Sequence, residues 1–180
     1  VSHILLGVSA SVAAYKACDL ASRLTQAGHS VRAILTPRAA ELVSLQLFEA
    51  VTGEPAACDE FGPAREGAMD HIELARWGEC LVLAPATADV IGRLAHGLGG
   101  DLLTTTAMAL PAERPRVLCP AMNPTMLAHP PVGRNIEALV EDGWTLIEPE
   151  EGVLACGDEG PGRLAEPEAI VARLASLLAR

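Results

Sequence analysis

The stretch His3-Ile-Leu-Leu-Gly-Val8 is a short apolar run, and the small residues after it open a helical pattern from about Ser11 to Ala27. Gly28 stands where such a helix is capped, and Val31 to Leu35 form a second apolar run ending at Thr36-Pro37. Strand, helix and strand at this spacing make a βαβ unit, whose parallel strands need a right-handed crossover. The alternation continues along the chain. Cys80 to Ala84 reads as a strand ending at Pro85, and Thr87 to His96 as a helix closed by Gly97. Arg116 to Cys119 reads as a strand ending at Pro120, 132 to 142 as a helix stopped by Gly143, and Trp144 to Ile147 as a strand. A last helix runs from Pro167, a favourable first helical residue, to Leu178. Five or six strands interleaved with helices predict a single-domain α/β fold over 1–180: a doubly wound, Rossmann-like or flavodoxin-like parallel sheet with helices on both faces. The stretches Gly53 to Gly67 and Glu148 to Gly162 are rich in Gly, Pro and charge and are expected to be loops.

Composition narrows the function. With 180 residues the chain suffices for one ordinary domain. Thirteen basic against twenty-three acidic side chains leave a formal charge of -10, which disfavours nucleic acid and anionic membranes as partners. No apolar run reaches the roughly 18 to 20 residues of a membrane span. Half the residues are apolar, more than one small core hides, so an oligomer is expected. The amino terminus reads directly as a strand, without export-signal features, and a cytoplasmic location is the default expectation. Five scattered cysteines, without a CxxC pair or His/Cys cluster, predict neither a disulfide frame nor a metal site. Lys16 is the single lysine among the basic residues, and it reads as an arginine-usage habit rather than as chemistry.

In an open parallel sheet, ligands bind beyond the carboxyl ends of the strands. After the first strand stands Gly7-Val-Ser9-Ala10-Ser11-Val12, small residues opening onto a helix start that can seat a phosphate; Ser9 or Ser11 as a plain helix cap is an equal alternative. It is neither GxGxxG nor a Walker A loop. After the second strand comes Thr36-Pro37-Arg38-Ala39, and after the third Pro85-Ala86-Thr87-Ala88-Asp89. Each alone is also a capped helix start; together they suit a planar, phosphorylated cofactor. Two segments lack a structural excuse: Pro120-Ala-Met-Asn-Pro-Thr-Met-Leu127, and Leu154 to Arg163, which carries Cys156 in a polar glycine-bearing loop. Cys18, Cys80 and Cys119 occupy apolar positions and read as small hydrophobes.

Six segments, in order, resemble the homo-oligomeric flavin-containing cysteine decarboxylases: Ser9-Ala-Ser-Val-Ala-Ala-Tyr-Lys16, His71-Ile-Glu-Leu-Ala-Arg-Trp77, Pro85-Ala-Thr-Ala-Asp89, Asp101-Leu-Leu-Thr-Thr105, Pro120-Ala-Met-Asn-Pro-Thr-Met126 and Leu154-Ala-Cys-Gly-Asp158. Two positions depart from the family's usual pattern, Asp89 for Asn and Leu127 for Trp. The resemblance implies FMN held by Ser9, Ala10, Ser11, Val12, Thr36, Arg38, Ala39, Thr87, Ala88, Asp89, Val90 and Ala121. It implies a homotrimer, or a dodecamer built from trimers, with sites shared between subunits.

The implied reaction is decarboxylation of 4′-phosphopantothenoylcysteine to 4′-phosphopantetheine in coenzyme A biosynthesis. The flavin removes a hydride from the substrate Cβ to give a thioaldehyde, CO2 leaves to give an enethiol, and the flavin returns the hydride. By the same resemblance His71 is the catalytic base or charge-orienting group, Asn123 binds the reacting carboxylate, and Cys156 donates the proton of the reductive half. From the residues alone His71 reads as a surface or capping histidine. Met122, Met126 and Ala155 are implied as substrate wall, with Gly160 and Gly162 letting the last loop close as a lid. Arg163 could reach a phosphate, with a solvated arginine as the plainer reading. The complete Ala-Cys-Gly-Asp segment favours this substrate over the rival, a lantibiotic-type peptidyl-cysteine decarboxylase. Retention of His71, Asn123 and Cys156 argues against a non-catalytic FMN-binding regulatory relative. A flavin prenyltransferase of the same fold accounts for neither of the last two segments.

Overall fold

The computed structural model describes residues 1–61, 69–155 and 157–179. The chain runs β1 (His3–Val8), α1 (Ala14–Gln26), β2 (Ser30–Leu35), α2 (Pro37–Ala40), α3 (Leu45–Thr52), α4 (Asp70–Trp77), β3 (Cys80–Ala86) and α5 (Ala88–Ala95). It continues with α6 (Leu102–Ala109), β4 (Arg116–Pro120), α7 (Pro124–Leu127), α8 (Pro130–Glu141), β5 (Thr145–Leu146), β6 (Glu150–Val153), β7 (Glu159–Arg163) and α9 (Pro167–Leu178). Five parallel strands lie in the order β2-β1-β3-β4-β5. The predicted doubly wound class is therefore the observed one, in its flavodoxin-like order, with the topological switch between β1 and β3.

The central strands read as unbroken apolar runs because both of their faces are covered. Ile4, Leu6 and Val8 point into a core with α1, α3 and α9, while Leu5 points to the opposite core with α5, α6 and α8. Each fully buried side chain of this kind contributes about 1.5–3 kcal/mol of transfer free energy. Gly7 interrupts the run for a steric reason: a Cβ there would stand 2.6 Å from Leu103 of α6 and 3.0 Å from Leu83 of β3. Its absence lets α6 lie close against the sheet.

Three expectations change. Helix α1 starts at Ala14, not Ser11, because residues 11–13 form the turn that leaves β1. Strand β3 runs through Pro85 to Ala86, with a cis Ala84–Pro85 bond and a shift in register against β4 between Leu83 and Ala86. The polar segment after β5 is an antiparallel hairpin, β6 with β7, rather than a loop; alternating glycines and charges at Glu150–Val153 and Glu159–Arg163 conceal its strands. Cys18, Cys80 and Cys119 are buried as small hydrophobes. Burial pushes the Cys80 thiol up to about 12 and raises Cys119 as well, so both stay protonated and inert. Among the described residues no helix is long and apolar enough to cross a membrane.

Candidate active site

The switch point is stitched together by one buried serine. Ser9, 1% exposed, sits just past β1; its Oγ donates to the Pro85 carbonyl at 2.7 Å and accepts from the Thr87 amide at 2.9 Å. Ser9 is thus not a cap for α1 but the tie between the β1 and β3 strand ends. Ser11 instead folds its own turn, its Oγ accepting from the Ala13 amide at 3.2 Å. Thr36 is buried and caps α2, its Oγ1 accepting from the Ala39 amide at 3.2 Å.

These strand ends surround a cavity of about 360 Å³ lined by Ser9, Ala10, Thr36, Arg38, Thr87, Ala88, Asp89 and Val90, and by Met126 from across the cleft. Eight of the twelve residues predicted for a cofactor thus share one cavity as well as a set of motifs. Arg93, Gly100 and Asp101 line it too, outside the predicted set; Arg93 is recognisable only once α5 is known to turn it back, four residues on, to Asp89. That Arg93–Asp89 ion pair, at 2.9 Å, offsets the anion at the start of α5. Thr87 makes no side-chain cap for α5, so the first amides of that helix are left to whatever fills the cavity. Arg38 is exposed at the rim and has no carboxylate partner among the described residues.

A second cavity, about 590 Å³, lies on the other side of the β1–α1 turn. Its walls are Ser11, Val12, Tyr15 and Lys16 from that turn and α1, Ala121, Met122 and Asn123 after β4, and Val153, Leu154, Ala155, Gly162 and Arg163 from the hairpin. Ser11, Val12 and Ala121, predicted for the cofactor, line this cavity rather than the first, and Met126, predicted for substrate, lines the first rather than this one. Ala39 lines neither; it is the fully buried residue of α2.

Hydrogen bonds from both the backbone and a side chain hold the hairpin to the segment after β4. The Met122 amide donates to the Gly162 carbonyl at 3.0 Å, and Asn123 Nδ2 donates to Asp158 Oδ2 at 2.7 Å. Asn123 Oδ1 accepts from the Thr125 amide at 2.8 Å, so both ends of the amide are oriented, as the N-cap of α7. Gly162 is a close-approach residue: at φ +138 it lies buried against Met122, where a Cβ would collide with the Met122 carbonyl oxygen. Gly160, at φ +154, faces Pro124 in the same strand and lines neither cavity.

His71 lies in the first turn of α4, half-buried, with Nδ1 against Glu60 Oε1. It lines neither cavity. Cys156 lies outside the described residues; the hairpin turn on either side of it is drawn in by the Leu154 amide donating to Asp158 O at 2.8 Å and the Gly157 amide donating to Leu154 O at 2.9 Å. Lys16, read from composition as a habit, is a wall of the second cavity, its Nζ on Glu166 Oε1 at 2.8 Å.

Comparison with known proteins gives this geometry a family. A family model described as Flavoprotein matches residues 1–179. The coenzyme A biosynthesis bifunctional protein CoaBC of Bacillus subtilis (strain 168) is 47% identical over 169 residues, 94% of this chain and 41% of that protein. The chain spans less than half the length of that curated relative. Among solved structures, a Cys-to-Ser mutant of PPC decarboxylase complexed with pantothenoylaminoethenethiol superposes with TM-score 0.87 at 31% identity, covering 99% of both chains. The FMN-dependent cysteine decarboxylase SpaF superposes with TM-score 0.85 at 32% identity, covering 99% of this chain and 98% of that one. With a family match across nearly its whole length and structural relatives covering it end to end, the chain belongs to the Flavoprotein family, alongside the FMN-dependent cysteine decarboxylases.

Proposed function

We propose that residues 1–180 form a decarboxylase unit that converts 4′-phosphopantothenoylcysteine to 4′-phosphopantetheine with FMN, in the coenzyme A pathway of the cytoplasm. The observation that carries this reading is the pair of neighbouring cavities sharing two walls, the turn at 9–12 and the segment 121–126. A cofactor and a substrate held one in each cavity meet across those walls.

The residues of the first cavity suit the phosphate arm of FMN. Hydroxyl-bearing loops, the uncapped start of α5 and the exposed Arg38 offer donors and positive potential, while Asp89 is engaged by Arg93. Bound there, FMN supplies the reversible two-electron oxidation that creates an electron sink beside the departing carboxylate. The protein's part is orientation. Asn123 offers neutral amide N–H to the substrate carboxylate, fixing it without the ground-state stabilisation a cation would give. The Asp158 carboxylate behind Asn123 holds the amide and disfavours a second carboxylate nearby, a tension relieved as CO2 leaves. Met122 and the hairpin exclude water, and Cys156 donates the proton that completes the saturated thiol.

His71, absent from both cavities of its own chain, acts in the cavity of a neighbouring subunit, so the working unit is a homotrimer or a dodecamer of trimers. Exposed Val12, Tyr15, Met126 and Val153, 68%, 64%, 48% and 66% accessible, surround the two cavities as an apolar rim that such a neighbour would cover.

The test is to purify the protein, record its flavin spectrum, and supply 4′-phosphopantothenoylcysteine and, separately, a peptide ending in cysteine. Yellow protein that releases CO2 from the phosphorylated conjugate supports the reading. Turnover of the peptide alone identifies a peptidyl-cysteine decarboxylase, and protein that takes up no FMN identifies neither.

A further inference from the structure

We infer that Glu60 is a positioning residue for the reaction: its carboxylate holds the proton of the neutral His71 ring on Nδ1 and so leaves Nε2 as the nitrogen that takes a proton from substrate. This rests on the assignment of His71 to the reaction.

The pair is enclosed. Glu60 Oε1 lies against His71 Nδ1, with the histidine side chain 22% and the glutamate side chain 19% exposed. Among the seven ion pairs of the described residues, this is the one with both partners less than a quarter exposed. An exposed pair of long side chains gains little from a fixed geometry, whereas a pair withdrawn from water keeps one.

Both partners stand on backbone that is held separately. The segment carrying Glu60 is tied to the edge strand β2: the Leu35 amide donates to the Ala57 carbonyl at 2.8 Å and the Ala57 amide to the Ala33 carbonyl at 2.9 Å, so Ala57 pairs with Ile34 as a parallel bridge. Asp59 Oδ1 then accepts from the Phe61 amide at 2.9 Å, which closes a turn across residue 60. Glu60 thus stands three residues from a backbone anchor. Helix α4, which carries His71 in its first turn, is held at its other end by Arg114. The Arg114 Nη1 donates to the carbonyls of Ala75 at 2.9 Å and Arg76 at 3.1 Å, and to that of Gly78. These three carbonyls belong to the last turn and end of α4, where a cation also suits the helix dipole. The Glu60–His71 contact therefore joins two pieces of backbone that are each fixed without it, and the ring has a defined place.

The contact decides which nitrogen works. A carboxylate only accepts hydrogen bonds, and a neutral imidazole has one donor and one acceptor nitrogen. With Nδ1 on Glu60, Nδ1 carries the proton and Nε2 keeps its lone pair. Among the described residues no hydrogen bond reaches Nε2. Forming a thioaldehyde from a thiol breaks two bonds to hydrogen: the Cβ–H pair departs as hydride to FMN, and the S–H proton goes to a base as C=S forms. Nε2 is that base; the S–H bond breaks, an Nε2–H bond forms, and the ring becomes imidazolium. Glu60 takes no proton, and its negative charge faces the positive ring. A cation in the first turn of a helix meets the positive end of that helix, which the carboxylates of Glu60 and of Asp70 and Glu73 on the same turn offset. In the opposite tautomer Nε2 presents a donor to the thiol, and the proton has no acceptor.

The experiment reads the ring directly. Protein labelled with 15N-histidine and loaded with FMN is studied by NMR at about pH 8.5, where an ordinary imidazole is neutral, and the His71 signals are those missing from His71→Asn. The expected result is a proton on Nδ1 in the wild type and on Nε2 in Glu60→Met, the form that free histidine side chains prefer. With 4′-phosphopantothenoylcysteine, Glu60→Met lowers kcat about 100-fold and leaves KM within about twofold, the split of a lost base rather than of lost binding. Glu60→Asp, which keeps a carboxylate, retains the Nδ1 proton and recovers about a tenth or more of the wild-type kcat. A wild type protonated on Nε2, a Glu60→Met ring that keeps the wild-type tautomer, or an unchanged kcat where the tautomer has switched overturns the proposal. A merely structural pair predicts a lower Tm and a raised KM with the tautomer kept, which overturns it too. A wild type with the proton on Nδ1 that releases no CO2 sinks the decarboxylase reading and leaves the assignment of the two nitrogens standing. A wild type that releases CO2 with the proton on Nε2 sinks the role of Glu60 and leaves the decarboxylase reading in place.

Discussion

Replacing Gly162 by alanine tests how the hairpin is held over the cavity. Gly162 adopts φ +138, a region that residues with a Cβ rarely enter, and the added methyl would press on the Met122 carbonyl oxygen and approach Leu154 Cδ2 at 3.3 Å. The backbone term is about 1–3 kcal/mol. Relief of the clash requires β7 to move off the segment after β4, giving up the Met122 amide bond to Gly162 O, worth a further 0.5–1.5 kcal/mol or so. The sum, about 1.5–4.5 kcal/mol, exceeds what a two-stranded hairpin alone can resist, so it is released locally by undocking. Undocking also loosens Asn123 from Asp158. The expected outcome is a fall in kcat/KM of about 10-fold or more, with the Met122 amide losing protection in hydrogen exchange. Gly28→Ala is the control: Gly28 has φ +91 and nothing within 4 Å of its added Cβ, so it loses about 1 kcal/mol, a few degrees of Tm, and no kcat/KM. A Gly162→Ala protein with unchanged kcat/KM and a protected Met122 amide would refute the docking argument.

Other outcomes follow from named contacts. Ser9→Ala leaves the Thr87 amide without its acceptor and the Pro85 carbonyl with the Ser9 amide alone, at 3.2 Å, costing about 1–3 kcal/mol, and is expected to lower Tm and release FMN on dilution, read by flavin fluorescence. Mixing His71→Asn with Asn123→Gln protein, each inactive alone, is expected to restore about a quarter of wild-type activity by random assortment of subunits, and none if each site is built within one chain. Cys156→Ser is expected to release CO2 but accumulate the enethiol, detected by mass spectrometry. Burial raises Cys80 from 9.0 to about 12, so the folded state keeps a proton that the unfolded state loses. Stability is therefore full below pH 9 and falls as pH rises through about 12, by at most ~1.4 kcal/mol per unit, and Cys80→Ala should flatten that alkaline limb in urea titrations.

The sheet is legible in the sequence because its central strands are covered on both faces and so carry unbroken apolar runs; His3 to Val8 and Pro167 to Leu178 match the observed elements residue for residue. The hairpin is not legible, since strands made of Glu, Gly and Pro show no hydrophobic period. Helix α6 escapes for a related reason: Leu102 to Ala109 mixes threonines with Leu, Ala and Met on its faces and lacks an amphipathic stripe. At the site, residues just after strands are visible from topology alone, which is how Ser9, Thr36 and Thr87 find their place. Their roles are not, because a serine that caps a helix and one that ties two strand ends look alike in sequence. The pairing of Lys16 with Glu166, 150 positions away, has no local signature at all.

The most direct measurement is an anaerobic reaction of the FMN-loaded protein with 4′-phosphopantothenoylcysteine, counting CO2 and thiol products while following the flavin spectrum. One 4′-phosphopantetheine is expected for each CO2, with the flavin oxidised again at the end. CO2 release that stops after one equivalent per site, or a product that stays unsaturated in the wild type, would contradict it.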